Sequence, residues 1–150
     1  MENKAVLFSI KPKYVSLISS GEKTYELRRK CPKVNAGDLA LVYESSPTMC
    51  LVGAFVIGEI IQEKPASLWR KIGAQSGVSR QEFLEYFNGC ETASAIEILQ
   101  YWNLEQQVSL KQLRSQNKIE PPQSYRYLCQ DKTGQLLASS YDEIDNYLVS

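Results

Sequence analysis

The sequence of 150 residues contains no histidine. Without an imidazole, the chain lacks Ser-His and Cys-His nucleophilic pairs and every histidine ligand for a metal. Any catalysis must therefore use Lys, Glu, Asp, Tyr, Ser, Thr or Cys side chains. This one absence excludes the most familiar hydrolase and zinc-enzyme designs, and it directs attention to lysine and to carboxylates.

Cysteine is scarce, and its four positions form no CxxC pair: Cys31, Cys50, Cys90 and Cys129. This spacing is not that of a zinc site, so we predict no metal and no bound cofactor. Cys31 lies in the basic segment 28–33, whose charge would lower its pKa. A reactive thiol also needs a base, and without histidine we expect Cys31 to be unreactive.

Long hydrophobic runs are also missing. The longest, CLVGAFVIG at 50–58, is far shorter than the ~18 residues of a membrane span. Nothing resembles a signal peptide, so we predict a cytoplasmic protein. A chain of this length falls in the usual range for one domain, ~100–200 residues, and we find no linker or internal repeat. We therefore predict a single domain over residues 1–150.

The net charge is zero, but it is distributed unevenly. Residues 1–44 contain eight Lys or Arg against five Asp or Glu, whereas residues 45–150 contain nine against twelve. This bias permits a local site for an anion and argues against a surface that coats DNA. The last ten residues are acidic, and they would be the docking element of a protein-interaction domain.

Hydrophobic periodicity indicates the fold class. Alternating apolar residues predict strands over residues 5–10, 24–30, 39–44, 50–61 and 93–102. Helical spacing and capping residues predict helices over 12–20, 65–77, 78–89 and 140–150, and a turn over 131–135. Gly53 and Gly58 interrupt the longest strand, as glycines do at bulges and sharp bends. This order predicts an α+β fold: a small, bent β-barrel with flanking helices.

The segment GEKTYELR, residues 21–28, contains the main candidate site. Alternation along a strand puts Glu26 and Arg28 on one face, about 7 Å apart, with Lys23 in the preceding turn. A carboxylate accepts hydrogen bonds from an amine or a ribose hydroxyl, and a guanidinium binds a phosphate through two parallel bonds. RNA bases stack on aromatic rings. The candidate rings are Tyr25, Tyr43, Tyr125 and Tyr127. The alternative is that Glu26 and Arg28 merely pair with each other on an exposed sheet surface.

Three segments together resemble the ASCH domain, a branch of the PUA-like β-barrel superfamily: SIKPKYVSLISSGEKTYELRRK, GDLALVYESSP and VGAFVIGEI. The shared pattern is a strand, a helix that ends in G-x-K-x-x-E-x-R, and a strand that ends in tyrosine before a serine-proline loop. Here those positions are Gly21, Lys23, Glu26, Arg28, Tyr43, Ser46 and Pro47. The segments EFLEYFNG and PPQSYRYL resemble a subgroup described as predicted transcriptional regulators. The resemblance covers residues 5–128 and leaves the tail 129–150 outside.

The resemblance implies a barrel with a cleft between barrel and helix, and single-stranded RNA or a nucleotide-like molecule as the ligand. The candidate ligand-binding residues are Lys23, Glu26, Arg28, Tyr43 and Ser46, with Arg126 as a second anion contact. Some smaller ASCH proteins are ribonucleases, or amidohydrolases that act on acylated cytidine. In the amidohydrolases a threonine stands three positions after the lysine. Because Glu26 stands there in this chain, we do not transfer that activity.

Three classes of function follow. The first is a module that binds RNA or a nucleotide, with a regulatory role. The second is a small hydrolase, an amidohydrolase or ribonuclease acting on a modified nucleoside or RNA, with Lys23 as proton carrier and Glu26 or Glu82 as its partner. The third is a protein-interaction domain. A lysine base needs a pKa lowered by burial, and Glu26 opposes this by stabilising the charged form. The sequence therefore favours binding over catalysis.

Overall fold

The computed structural model describes residues 5–149. Within them lie the strands β1 (Ala5–Ile10), β2 (Tyr25–Arg28), β3 (Leu39–Glu44), β4 (Cys50–Glu63), β5 (Ala93–Ser109) and β6 (Tyr125–Leu128). The helices are α1 (Pro12–Ser20), α2 (Pro65–Ile72), α3 (Arg80–Tyr86), α4 (Leu110–Gln112), α5 (Gln130–Leu137) and α6 (Tyr141–Val149). The predicted α+β class is confirmed.

The six strands form one curled sheet in the order β2-β5-β4-β3-β1-β6. β1 and β3 pair parallel, which the intervening α1 and β2 make possible, and the other neighbours pair antiparallel. The pairing of β4 with β5 shifts register around Gly53 and Gly58, so the bends predicted there are confirmed. The sheet is a half-barrel, and its two edges are β2 and β6.

Helices cover both faces of this sheet. Phe8 and Phe55 pack beneath α1 on one face, whereas Leu136 of α5 and Ile144 of α6 pack on the other. Phe83 of α3 joins a third apolar cluster beside β2. Because β2 lies between these layers, side chains on both of its faces are shielded from water.

The turn predicted over residues 131–135 is wrong, since these residues lie within α5. Thr133 Oγ1 donates to Cys129 O, and Leu136 and Leu137 are buried against the sheet. Tertiary packing outweighs the turn tendency of a glycine, because helix stability in proteins comes mostly from a buried apolar face. Among residues 5–149, no helix has the length and apolar character needed to cross a membrane.

Candidate functional site

A cleft of about 210 Å³ opens where β1 and β2 meet α1 and α3. Its walls include three of the predicted ligand-binding residues, Lys23, Glu26 and Arg28. Tyr14 of α1 and Tyr86 of α3 line it as well. The fold therefore brings together the lysine, glutamate and arginine of the G-x-K-x-x-E-x-R segment, as predicted.

The alternation of β2 orients two of these side chains. Tyr25 and Leu27 pack into the apolar cluster with α2 and α3, so Glu26 and Arg28 point to the other side of the strand. Lys23 stands just before β2, and its Nζ lies 3.8 Å from Glu26 Oε1. At this distance the two charges attract each other but do not form a hydrogen bond.

Glu26 and Arg28 form a buried ion pair. Only 8% and 9% of their side chains are exposed, and Arg28 Nη2 lies 2.7 Å from Glu26 Oε2. Arg28 Nε donates to the same oxygen at 3.0 Å. The alternative prediction, that Glu26 and Arg28 pair on an exposed surface, is therefore wrong about exposure. The two residues do pair, but away from water, where the other N–H groups of Arg28 also need partners.

Arg28 also fastens the two edges of the curled sheet together. Its Nη1 donates to Ser124 O and Oγ, just before β6, at 3.2 and 3.1 Å, and its Nη2 donates to Ser9 O of β1 at 3.3 Å. Its guanidinium lies 4.5 Å from the centre of the Phe8 ring. With the two contacts to Glu26, these polar contacts equal the five N–H groups of a guanidinium. In this arrangement Arg28 has no N–H left for a phosphate.

Lys23 is 3% exposed, and the loop after α2 holds it. Its Nζ donates to Ser76 O at 2.6 Å. Gly77, with a φ of +76°, packs on its aliphatic stem, where an added Cβ would lie 3.0 Å from Lys23 Cβ. Burial lowers the pKa of Lys23; Glu26 opposes this effect and Arg28 adds to it. The sequence predicted that Glu26 would keep Lys23 charged against the effect of burial, but in the structure burial has the larger effect.

Three predicted ligand-binding residues lie outside the cleft. Tyr43 is buried in the cluster on the opposite face of the sheet. Ser46 is exposed in the turn after β3. Arg126 is exposed on β6, and its Nη1 donates to Glu120 O at 3.2 Å. It pairs in register with Leu7, which belongs to the opposite face, so the two-residue period of the strand turns Arg126 away from the cleft.

Sequence reasoning missed several residues that only the fold brings to β2: Ser9, Tyr14, Tyr86 and Ser124. Ser79 and Glu82 form a capping box at the start of α3, which places Glu82 at the cleft. Lys13 Nζ of α1 lies 3.2 Å from Glu82 Oε2. The Ser79 backbone and Lys13 both lower the pKa of Glu82, so this carboxylate stays ionised at the cleft rim.

The pKa lowering predicted for Cys31 is wrong. The thiol is half-buried, and burial raises its pKa. Two of the neighbouring cations are engaged elsewhere: Arg28 binds Glu26, and Arg29 Nε donates to Tyr86 O at 2.6 Å. Across residues 5–149, no group of three or more His, Cys, Asp or Glu side chains is placed to hold a metal ion.

The curled sheet agrees with the folds of solved structures. The family model for the ASCH domain matches residues 8–122. An ASCH domain-containing ribonuclease from Zymomonas mobilis is 29% identical over 142 residues, which cover 91% of this chain and 93% of that protein. The crystal structure of an ASCH protein from Zymomonas mobilis matches with a TM-score of 0.85 and 27% identity, covering 92% of this chain and 96% of the other. A protein of Agrobacterium tumefaciens, 12% identical with a TM-score of 0.54 over 89% of this chain and 90% of its own, shares the fold. This chain belongs to the ASCH domain family.

Proposed function

We propose that this protein binds single-stranded RNA in the cleft and cleaves it, with Lys23 as the proton carrier. The observation that carries the proposal is the amine of Lys23, which is buried, has a pKa lowered by that burial and borders a cavity. A general base works best when its pKa is near the working pH. The Zymomonas mobilis relative, which carries the name ribonuclease and is similar over nearly all of both chains, supports RNA as the substrate.

The proposed reaction uses the groups at the cleft that can still accept or donate a proton. The neutral Lys23 amine accepts the proton of a ribose 2′-hydroxyl as its oxygen attacks the adjacent phosphorus. The bond from phosphorus to the 5′-oxygen breaks, and the Lys23 ammonium returns the proton to that oxygen. The products are a 2′,3′-cyclic phosphate and a 5′-hydroxyl. Glu26 Oε1, 3.8 Å from Nζ, stabilises the charge that forms on Lys23 in between.

Arg28 is a positioning residue in this proposal. All its N–H groups bind the protein, so it holds Glu26 and joins the sheet edges without contacting RNA. The ring of Tyr14 lines the cleft with its centre 5.3 Å from Lys23 Nζ, so it would border a base that enters. At about 210 Å³ the cleft is smaller than the ~300–1,000 Å³ of sites for drug-sized ligands. We therefore expect one nucleoside to enter it.

Binding without cleavage is the second candidate, and the Lys23–Glu26 pair favours it, because the carboxylate stabilises the charged amine. A regulatory role in transcription would belong to that candidate. Turnover of acylated cytidine is not expected, because Glu26 stands where the amidohydrolases have threonine.

The test is to incubate the protein with an RNA octanucleotide and with acetylcytidine, and to identify products by mass spectrometry. We expect RNA fragments that end in a 2′,3′-cyclic phosphate. Lys23→Met should lower the cleavage rate by at least ~100-fold, the usual contribution of a general acid–base. Lys71→Met is the matched control, since Lys71 is exposed and pairs with Glu63 away from the cleft. Equal rates for Lys23→Met and the wild type would contradict the mechanism, and an intact bound octanucleotide would favour the second candidate.

A further inference from the structure

A row of aromatic rings leads away from the cleft along β6. Tyr125 meets Phe8 edge to face, with ring centres 6.3 Å apart, and Tyr127 meets Tyr125 in the same way at 5.9 Å. Phe8 itself lies beneath the Arg28 guanidinium. The aromatic row Phe8, Tyr125 and Tyr127 thus connects the wall of the cleft with the edge of the sheet.

Exposure increases along the aromatic row. Phe8 is fully buried, Tyr125 is half-buried and Tyr127 is 47% exposed. The Tyr127 hydroxyl accepts from Lys33 N at 2.8 Å, so the ring is fixed at its hydroxyl and at Tyr125 while almost half of it remains accessible. Core packing accounts for Phe8, but it does not account for a fixed and accessible ring at the far end.

The segment whose backbone holds this ring carries positive charge. Lys30 and Lys33 are exposed in the segment between β2 and β3, and neither forms an ion pair with another residue of 5–149. The Lys33 backbone is the group that holds the Tyr127 hydroxyl. An aromatic face next to unpaired cations is the combination with which proteins bind single-stranded nucleic acid.

We propose that the RNA strand leaving the cleft continues along β6, stacks one base on Tyr127 and places its phosphates against Lys30 and Lys33. The inference rests on the proposed function, because a nucleotide in the cleft fixes one end of this path. It specifies the substrate as a single strand of several nucleotides, since paired bases offer no free face for Tyr127.

The test measures the binding of a 2′-O-methyl RNA octanucleotide, which has no 2′-hydroxyl to attack, and of a mononucleotide. Tyr127→Leu removes the aromatic face, and Tyr127→Phe keeps it while losing the contact to Lys33. We expect Tyr127→Leu to bind the octanucleotide about 5- to 150-fold more weakly and the mononucleotide with unchanged affinity, whereas Tyr127→Phe binds both like the wild type. Replacing Lys30 and Lys33 together with alanine should reduce the slope of log affinity against log salt by ~1.4.

The outcomes separate this inference from the proposed function. If Tyr127→Leu and Tyr127→Phe lose the same affinity for the octanucleotide, Tyr127 only supports the segment that contains Lys33, and the inference is overturned. Unchanged octanucleotide affinity in Tyr127→Leu would overturn it too, leaving cleavage at Lys23 untouched. If Lys23→Met cleaves normally while Tyr127→Leu loses affinity, the inference stands and the catalytic proposal falls. Absence of any RNA binding by the wild type would overturn both.

Discussion

Two arginine–glutamate pairs in this protein have similar distances but differ in their exposure to water. Arg28 and Glu26 approach to 2.7 Å with less than a tenth of each side chain exposed. Arg114 and Glu120 approach to 2.6 Å with more than half exposed. Water solvates the second pair whether or not it forms, whereas the first pair is largely shielded from water. Burial, not distance, decides which pair the fold depends on.

The buried pair also differs in what surrounds it. When Lys23 is protonated, Lys23, Glu26 and Arg28 place two positive charges and one negative charge at one cleft; when Lys23 is neutral, as the proposed base must be, the charges of Glu26 and Arg28 cancel. The excess positive charge of the protonated form is unfavourable in a buried site, and an anion entering the cleft would neutralise it. The exposed pair is neutral and lines no part of this cleft. Of the two pairs, only the buried one belongs to a cluster that can attract a phosphodiester.

The largest expected effect separates the two pairs directly. Arg28→Met leaves Glu26 buried without its main partner and releases the sheet edges, so we expect the free energy of unfolding to fall by about 3–5 kcal/mol. Arg114→Met, the matched control, should change it little, because both partners remain in water. Urea denaturation of both variants measures the difference. Equal decreases in the free energy of unfolding would show that burial does not distinguish the two pairs.

The sequence predicted that Lys23, Glu26 and Arg28 lie together, but it did not predict the residues that hold them in place. Alternation in β2 correctly put Glu26 and Arg28 on one face, because a two-residue period is a local property. It could not predict that Ser124, 96 positions away from Arg28, would complete the arginine contacts, since the curl of the whole sheet brings them together. Tyr43 shows the same limit: its place in the motif did not indicate which face of β3 it occupies.

A smaller effect is expected from the loop that holds Lys23. Gly77→Ala adds a Cβ at 3.0 Å from the Lys23 stem and forces a side chain onto a φ of +76°. Gly89→Ala is the matched control, with a φ of +83° and no atom within 4 Å of the added Cβ. The backbone strain should lower the free energy of unfolding by about 1–2 kcal/mol in both. Only Gly77→Ala should also lose RNA cleavage, because it displaces the amine; equal cleavage by both variants would refute this role of Gly77.

The smallest expected effect concerns the charge on Lys23. Its folded-state pKa is lowered from the ordinary 10.5, so the folded state disfavours the ammonium. This destabilisation is complete below the folded-state pKa and disappears as the pH rises to 10.5. Each unit of difference between the folded and unfolded pKa corresponds to about 1.4 kcal/mol. Relative to Lys23→Met, the wild type should therefore gain stability as the pH rises from 7 towards 10.5. The lost hydrogen bond to Ser76 O does not titrate, and the tyrosines are common to both proteins, so neither contributes to this trend. Urea denaturation of both proteins at several pH values measures the trend, and a difference that is constant with pH would show that Glu26 fully compensates for the burial of Lys23.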